Sequence, residues 1–480
     1  MGNIFSRLLP TRLTGMDKAV VGIAPDTKNK TGIEVMAAIF FDGTGNNRNN
    51  VAQRHMVQQN LQEEDGIRRT DSFPAHGLKK DGSLTNTSYA AGYSNVSILE
   101  RLNIKREIPN REISLYVEGI GTIDDEGDAT GGYAFGVGET GIKGKVKRGV
   151  MLLGEKVAKV LKLDEETFVE KITIDVFGFS RGAAAARHFV AQLQAAPTLA
   201  AQLGTPQAAI KIKFVGLFDT VSSYGVGVGF GSNVAELGLA LGGVPQKVVH
   251  LTASNEYRKN FSLTDITSSL GVGYELTLPG VHSNIGGSYG EQEDEVRKLH
   301  LWERDALIAQ GWYTEAEAQV QEEPVYDAET GTQIGTRKWV VGTRRNLNQD
   351  YQFIPLRIMA DNARKVDMSL ENLSGRFAKY TIPGNHPLTS VQAAILAQVG
   401  QHGASGRHAL LLAGETAQVP PNALRTQLPL SAEQARLLRN RYLRRSASIG
   451  VQGLGDGWDR KGMGERRDEQ ERPHRLIFPG

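Results

Sequence analysis

Lys171-Ile172-Thr173-Ile174-Asp175-Val176-Phe177-Gly178-Phe179-Ser180-Arg181-Gly182-Ala183-Ala184-Ala185-Ala186 passes from an apolar, β-rich run through a serine between glycines into four alanines. The first part, 171–177, predicts a short buried strand. The second, 183–194, predicts a helix, because alanine loses no side-chain entropy there and no breaker interrupts it. Between them lies a turn sharp enough to lift the Ser180 hydroxyl above a sheet, and the flanking glycines keep side chains out of that turn. The helix start behind the serine adds N–H groups and positive potential, which suit a developing oxyanion.

The G-x-S-x-G pattern by itself is weak. Chance predicts about 0.3 occurrences in a chain with 55 glycines and 24 serines among 480 residues. A second match, Gly286-Gly287-Ser288-Tyr289-Gly290, runs into the charged stretch 291–295 instead of a small-residue helix. Context therefore separates Ser180 from Ser288.

A serine needs a base to act as a nucleophile. In α/β-hydrolases the partners follow in the order Ser, Asp or Glu, His, each after a later strand. Asp219 closes the predicted strand 210–218, and His282 follows the predicted strand 274–278. Asp265 is the main rival for the acid. Of the other histidines, His250 and His300 fall in segments that read as helical, and His188 lies in the helix after Ser180. The oxyanion hole requires two N–H donors: Arg181, just after the serine, and a residue from a loop following an early strand. Asp42-Gly43-Thr44-Gly45 follows the predicted strand 33–41, so Gly43 or Thr44 fits that role, with Asp42 bracing the loop. The Asp-Gly-Thr here lacks the aspartate that a haloacid-dehalogenase-type phosphatase needs two residues earlier; that position is Phe40.

Further out, strands and helices alternate: a strand at 113–117, helices at 94–102 and 146–162. The expected fold is α/β, a doubly wound, mostly parallel sheet with helices on both faces. The chain divides into a lead-in (1–30), an α/β-hydrolase-like catalytic core (31–290), a charged helix and hairpin insertion (291–345), and a helical C-terminal part (346–480) that packs on the core as a possible membrane- or partner-contacting module. Helices are expected over 291–322, 353–367, 388–400 and 431–445. The glycine-rich run 225–243 reads either as an apolar lid or as a buried helix with a linker. The basic helix 431–445 reads either as a lipid-surface element or as a solvated face. The acidic loop 124–128 lacks EF-hand spacing and reads as a loop before it reads as a cation site.

Composition narrows the classes. Apolar residues make up 40% and charged residues 22%, which argues against wholesale disorder. With 55 Lys and Arg against 53 Asp and Glu, the net charge of +2 supplies no field for nucleic acid. Cysteine is absent, which removes disulfides, thiol nucleophiles and Cys-type metal sites. No apolar h-region of a secretory signal stands at the start, and Met1-Gly2 with Ser6 matches the myristoylation pattern, which is short enough to arise by coincidence.

Taken together, Phe40-Phe41-Asp42-Gly43-Thr44-Gly45-Asn46-Asn47, Glu118-Gly119-Ile120-Gly121-Thr122, Gly178-Phe179-Ser180-Arg181-Gly182, Phe218-Asp219-Thr220-Val221 and Pro279-Gly280-Val281-His282-Ser283 resemble one family. It is the first subfamily of GxSxG-class type VI secretion lipase effectors, within a broad group of α/β-hydrolase-like proteins. The resemblance covers roughly residues 32–290. It implies a phospholipase A acting on glycerophospholipid esters, with Ser180, Asp219 and His282 as triad and with no metal or cofactor. It also implies a type VI spike protein and a cognate immunity protein as partners, synthesis in the cytoplasm, and delivery to the periplasm of a target cell. A serine esterase or thioesterase on a small soluble ester, and a non-catalytic binding protein of the same fold, remain the alternatives from sequence.

Overall fold

A computed structural model of the chain describes residues 29–85, 87–104, 111–129, 137–163, 166–195, 209–223, 233–327, 329–415, 417–447 and 473–480. The lead-in 1–28, with its myristoylation pattern, and the first part of the 225–243 run lie outside the described residues.

Eight parallel strands form the main sheet: β1 (Thr31–Phe41), β2 (Glu112–Val117), β3 (Thr167–Phe179), β4 (Ala209–Phe218), β5 (Lys247–Ala253), β6 (Gly273–Leu278), β7 (Gly406–Leu411) and β8 (Leu424–Gln427). Their order across the sheet is β8-β7-β6-β5-β4-β3-β1-β2. From β1 the chain goes one way to β2 and then crosses to the other side for β3. The order thus reverses between β1 and β3, the place where open α/β sheets bind ligands beyond their carboxyl ends.

Parallel strands need crossovers, and the crossovers cover both faces. The long helix α3 (Ile142–Leu163) and α4 (Arg181–Ala195) cover one face, packing Phe189 and Val190 onto Ile39, Ile174 and Val176. The other face takes α2 (Asn95–Leu102) and α5 (Phe353–Arg364), which bury Phe40, Phe177, Phe214 and Leu251. Adjacent residues of β1 alternate between these two layers, Ile39 and Phe41 to one and Phe40 to the other. Phe40 stacks on Phe177 with ring centres 4.9 Å apart, tying β1 to β3.

Three expectations need correction. First, His250 is not helical. It sits in β5, a run buried on both faces whose pattern has neither a strand's alternation nor a helix's length. Second, 291–322 is not a helical segment. It comprises a strand (Gln292–Leu299), a short helix (Arg304–Gln310) and a strand (Ala318–Tyr326). The strands pair with Gln333–Asn348 in a three-stranded antiparallel sheet, which includes the expected hairpin. The misreading has a physical source: the inward position of the first strand is Glu295, buried against Arg344, so a polar residue occupies a core site. Third, 346–480 is not simply helical. Besides α5, a helix at Thr389–Gln401 and another at Ala432–Arg441, it supplies β7 and β8 to the main sheet.

In the described part of the 225–243 run, Leu237, Leu239 and Leu241 are buried in the core beside α4, while the residues between them are exposed. The basic segment 431–445 turns Arg439 and Arg444 inward and leaves Arg436 and Arg441 exposed. Arg439 donates to the carbonyls of Gln310 and Ala413, and Arg444 to those of Glu293 and Leu347. Arg444 thus ties the C-terminal part to the antiparallel sheet, and Arg439 ties it to the end of the short helix Arg304–Gln310. Among the described residues no helix is long and apolar enough to cross a membrane.

Candidate active site

The site gathers at the carboxyl ends of β1, β3, β4 and β6. Ser180 terminates β3 with φ of +60°, a left-handed conformation that serine accepts only under constraint. The constraint is close packing. A Cβ on Gly182 would stand 2.1 Å from the Asp42 carbonyl oxygen, so the turn and the loop after β1 touch backbone to backbone. The Ser180 N–H donates to the Phe218 carbonyl at 3.0 Å, and the Val221 N–H donates to the Ser180 carbonyl at 3.3 Å. The serine turn is therefore laced to both sides of Asp219.

Asp219 and His282 meet directly, with His282 Nδ1 2.6 Å from Asp219 Oδ2. The His282 ring lies against Phe179, the residue before Ser180, at 4.6 Å between centres, and Phe261 meets its edge at 5.0 Å. All three residues are buried, with Ser180 and His282 each 4% exposed. The rival acid, Asp265, pairs instead with Arg407 and caps the backbone N–H of Thr267. His250 donates or accepts within a separate buried cluster of Glu275 and Thr220. Ser288 has its hydroxyl on Ser283, and its backbone runs beside Gly92 and Tyr93.

The loop after β1 is braced as its composition suggested. Asp42 accepts hydrogen bonds from the Gly43 N–H (2.7 Å), the Ser94 hydroxyl (2.6 Å) and the Tyr116 hydroxyl (2.6 Å). Burial pushes its carboxyl pKa up, against the pull of these three donors. The Gly43 N–H is thus spent on Asp42, while the Thr44 N–H has no partner among the described hydrogen bonds. Arg181 Nε donates to Thr44 Oγ1 at 2.8 Å, which pins the loop to the start of α4. Gly119 closes the back of the loop: a Cβ there would stand 1.8 Å from the Gly43 carbonyl oxygen.

Several residues around the site carried no signal in the sequence. Arg475 donates to both oxygens of Asp219, at 2.8 Å each. Glu256 accepts from the His282 N–H at 3.2 Å and from the Arg258 guanidinium at 2.8 Å. Asn255 and Asn284 hold the Gly280–Val281 turn that leads into His282. These groups set the electrostatics. Burial favours a neutral Asp219, but the Arg475 guanidinium and the His282 hydrogen bond outweigh it, so the carboxyl stays well below the usual carboxylate range. Burial lowers the His282 pKa below its ordinary value, and the Asp219 bond only partly restores it. A neutral imidazole with Nδ1–H fixed on a carboxylate can accept a proton at Nε2.

Two carboxylates of the loop 124–128 are used within the chain. Asp125 accepts from the hydroxyls of Thr70 and Ser72, and Asp128 from the Ser88 N–H and hydroxyl. Among the described residues no group of His, Asp and Glu is arranged to hold a metal ion.

Fold and site together define the class: an α/β protein whose candidate serine, aspartate and histidine stand at the carboxyl ends of a parallel sheet. Comparison with known proteins narrows this further. Residues 195–313 match the family model described as type VI secretion system phospholipase effector, Tle1-like, catalytic domain. That segment spans Asp219 and His282. A solved structure of the Tle1 effector bound to the VgrG spike of the type 6 secretion system shares the fold, with a TM-score of 0.56, over 94% of each chain at 22% identity. An uncharacterized protein from Pseudomonas aeruginosa aligns over 76% of this chain and 51% of its own, at 18% identity and a TM-score of 0.42. A search of the curated proteins finds no match. The chain is thus similar to Tle1-like phospholipase effectors, by sequence over the catalytic-domain segment and by fold over nearly its full length.

Proposed function

We propose that this chain is a type VI secretion phospholipase of type A, which hydrolyses acyl esters of glycerophospholipids through Ser180, His282 and Asp219. The observation that carries the proposal is the Asp219–His282 pair, whose imidazole packs on Phe179, the residue before a serine held at φ of +60° on a strand-to-helix turn. His282 takes the Ser180 proton as the oxygen attacks the ester carbonyl. The N–H groups of Arg181 and Thr44 hold the oxyanion; Asp42, by occupying the Gly43 N–H, keeps the loop in shape. Asp219 orients the imidazole and stabilises it once protonated. The imidazolium then gives its proton to the departing alcohol oxygen, and a water activated by His282 cleaves the acyl-enzyme. None of these steps calls for a metal or cofactor.

The fold shared with a spike-bound effector supports a spike protein as carrier. On this proposal the protein is made in the bacterial cytoplasm and delivered to the target-cell periplasm, and a cognate immunity protein shields the producer. The test is release of fatty acid and lysophospholipid from mixed glycerophospholipid vesicles, read by mass spectrometry. Wild type releases both, and Ser180→Ala releases neither. Equal release by the two proteins, or none by folded wild type, overturns the proposal.

A further inference from the structure

The carboxylate partner of His282 is itself held by an arginine from far along the chain. Arg475 lies 256 residues from Asp219 and is buried to 3% exposure. It reaches the site on residues 473–480, which lie along 263–268. Leu263, Asp265 and Ser268 donate their N–H groups to the carbonyls of Leu476, Phe478 and Gly480, and Ile477–Phe478 pairs with Leu263–Thr264 as parallel strands. The side chains of Leu476, Ile477 and Phe478 are only half-buried, so Arg475 is the side chain this strap buries most deeply apart from the Gly480 end. Its Nη1 and Nη2 each bond one oxygen of Asp219, Nε donates to the Phe261 carbonyl at 2.8 Å, and Nη1 also reaches the Ala253 carbonyl at 3.2 Å. Every nitrogen of the guanidinium is therefore hydrogen-bonded. A planar bidentate fork fixes the plane of a carboxylate in a way that a lysine or a single donor does not.

We infer that Arg475 is a positioning residue of this site: it fixes the Asp219 carboxylate in the plane that meets His282 and offsets its charge, so that His282 remains a neutral base. The inference rests on the serine-hydrolase reading above. An unopposed buried carboxylate favours the imidazolium strongly and blocks proton uptake from Ser180 until higher pH. Four charged groups face His282: Asp219 with Arg475 beyond it, and Glu256 with Arg258 beyond that. Each carboxylate is matched by one guanidinium, and the His282 ring sits between two neutral pairs. Burial is the main cause of the lowered His282 pKa, and Arg258 adds to it.

The test follows the labelling of Ser180 by an alkyl fluorophosphonate as a function of pH, with the full chain. In this reaction the serine oxygen displaces fluoride from phosphorus and His282 takes the proton. Arg475→Gln keeps a hydrogen bond to Asp219 but removes the positive charge. Loss of a unit charge about 6 Å from the imidazole raises its pKa by roughly one to two units. The acid limb of the labelling profile is therefore expected to move up by that amount in Arg475→Gln and by less than half as much in Arg475→Lys. A profile that does not move, or moves down, overturns the inference and leaves the serine-hydrolase reading intact. Wild type that takes no label at Ser180 at any pH overturns that reading itself. If Arg475→Gln fails to fold, the wild-type protein still decides the matter. The proton resonance of His282 Nδ1–H should titrate below the ordinary histidine value of about 6.5, and titration above it overturns the inference.

Discussion

Asp219 shows how little room a single buried residue has here. It accepts four hydrogen bonds, from Ala253 N–H, His282 Nδ1 and both Arg475 nitrogens, and it has no exposure to water. Asp219→Asn places an amide where only acceptors fit. Whichever way it is turned, its NH2 faces an Arg475 nitrogen and either the Ala253 N–H or His282 Nδ1, and a buried donor is left against a donor. The expected outcome is a fall in kcat of about 10⁴-fold on vesicle phospholipid, with the imidazole held in the wrong tautomer. Steady-state kinetics of Asp219→Asn beside wild type check this; a loss below tenfold shows that the pair does not work as a triad.

At the scale of elements, the site depends on how α2 starts. Ser94 caps that helix by accepting the Ser97 N–H at 3.0 Å, and its own hydroxyl proton goes to Asp42. One side chain thus joins a helix terminus to the loop proposed to hold the oxyanion. Ser94→Ala removes a cap, worth about 1 kcal/mol, and a charge-assisted hydrogen bond, worth about 1.5–3 kcal/mol. Urea unfolding should show a loss of roughly 2–4 kcal/mol, and turnover should fall as well, because Asp42 loses one of its three donors. A stability change within 0.5 kcal/mol of zero contradicts that account. The cap itself is legible in the sequence, since Ser94 precedes an apolar, periodic run. The bond to Asp42 is not, because it joins residues 52 apart.

In the whole molecule, the antiparallel sheet and the C-terminal part are fastened by a buried ion pair. Arg344 Nε donates to Glu295 at 3.1 Å, Arg344 Nη1 donates to the Arg439 carbonyl at 2.6 Å, and the Arg445 N–H donates to Glu295 at 2.9 Å. Burial favours a neutral Glu295, but Arg344 overcomes it and keeps the carboxyl below its ordinary pKa. Arg344→Ala strands a buried carboxylate and should cost about 3–5 kcal/mol. Replacing both partners, Glu295→Leu with Arg344→Met, should recover at least half of that loss, because no charge is then left unpaired. Denaturant midpoints of the two variants decide it: if the double variant is no better than Arg344→Ala, the cost lies in packing and not in charge.

The sequence by itself determined the centre of the sheet and the three residues that line its carboxyl end. β1, β3, β4 and β6, the turn at Ser180, and Asp219 and His282 at strand ends all follow from local causes: apolar runs, glycine where backbones touch, alanine where a helix begins. Those signals are written within a few residues of one another. What lay beyond reach has a different cause. β5 and β7 are buried on both faces and carry no alternation. The strand Gln292–Leu299 hides its inward face behind a charged residue. Arg439 and Arg444 looked like part of a solvated or lipid-facing surface until the carbonyls they bind were known. Arg475 had no sequence signal at all, because its role comes from a contact 256 residues away that only chain packing creates. Local chemistry named the residues proposed to react. The tertiary structure decided which charges stand around them, since desolvation and pairing in a buried site depend on neighbours that the chain brings together only when it folds.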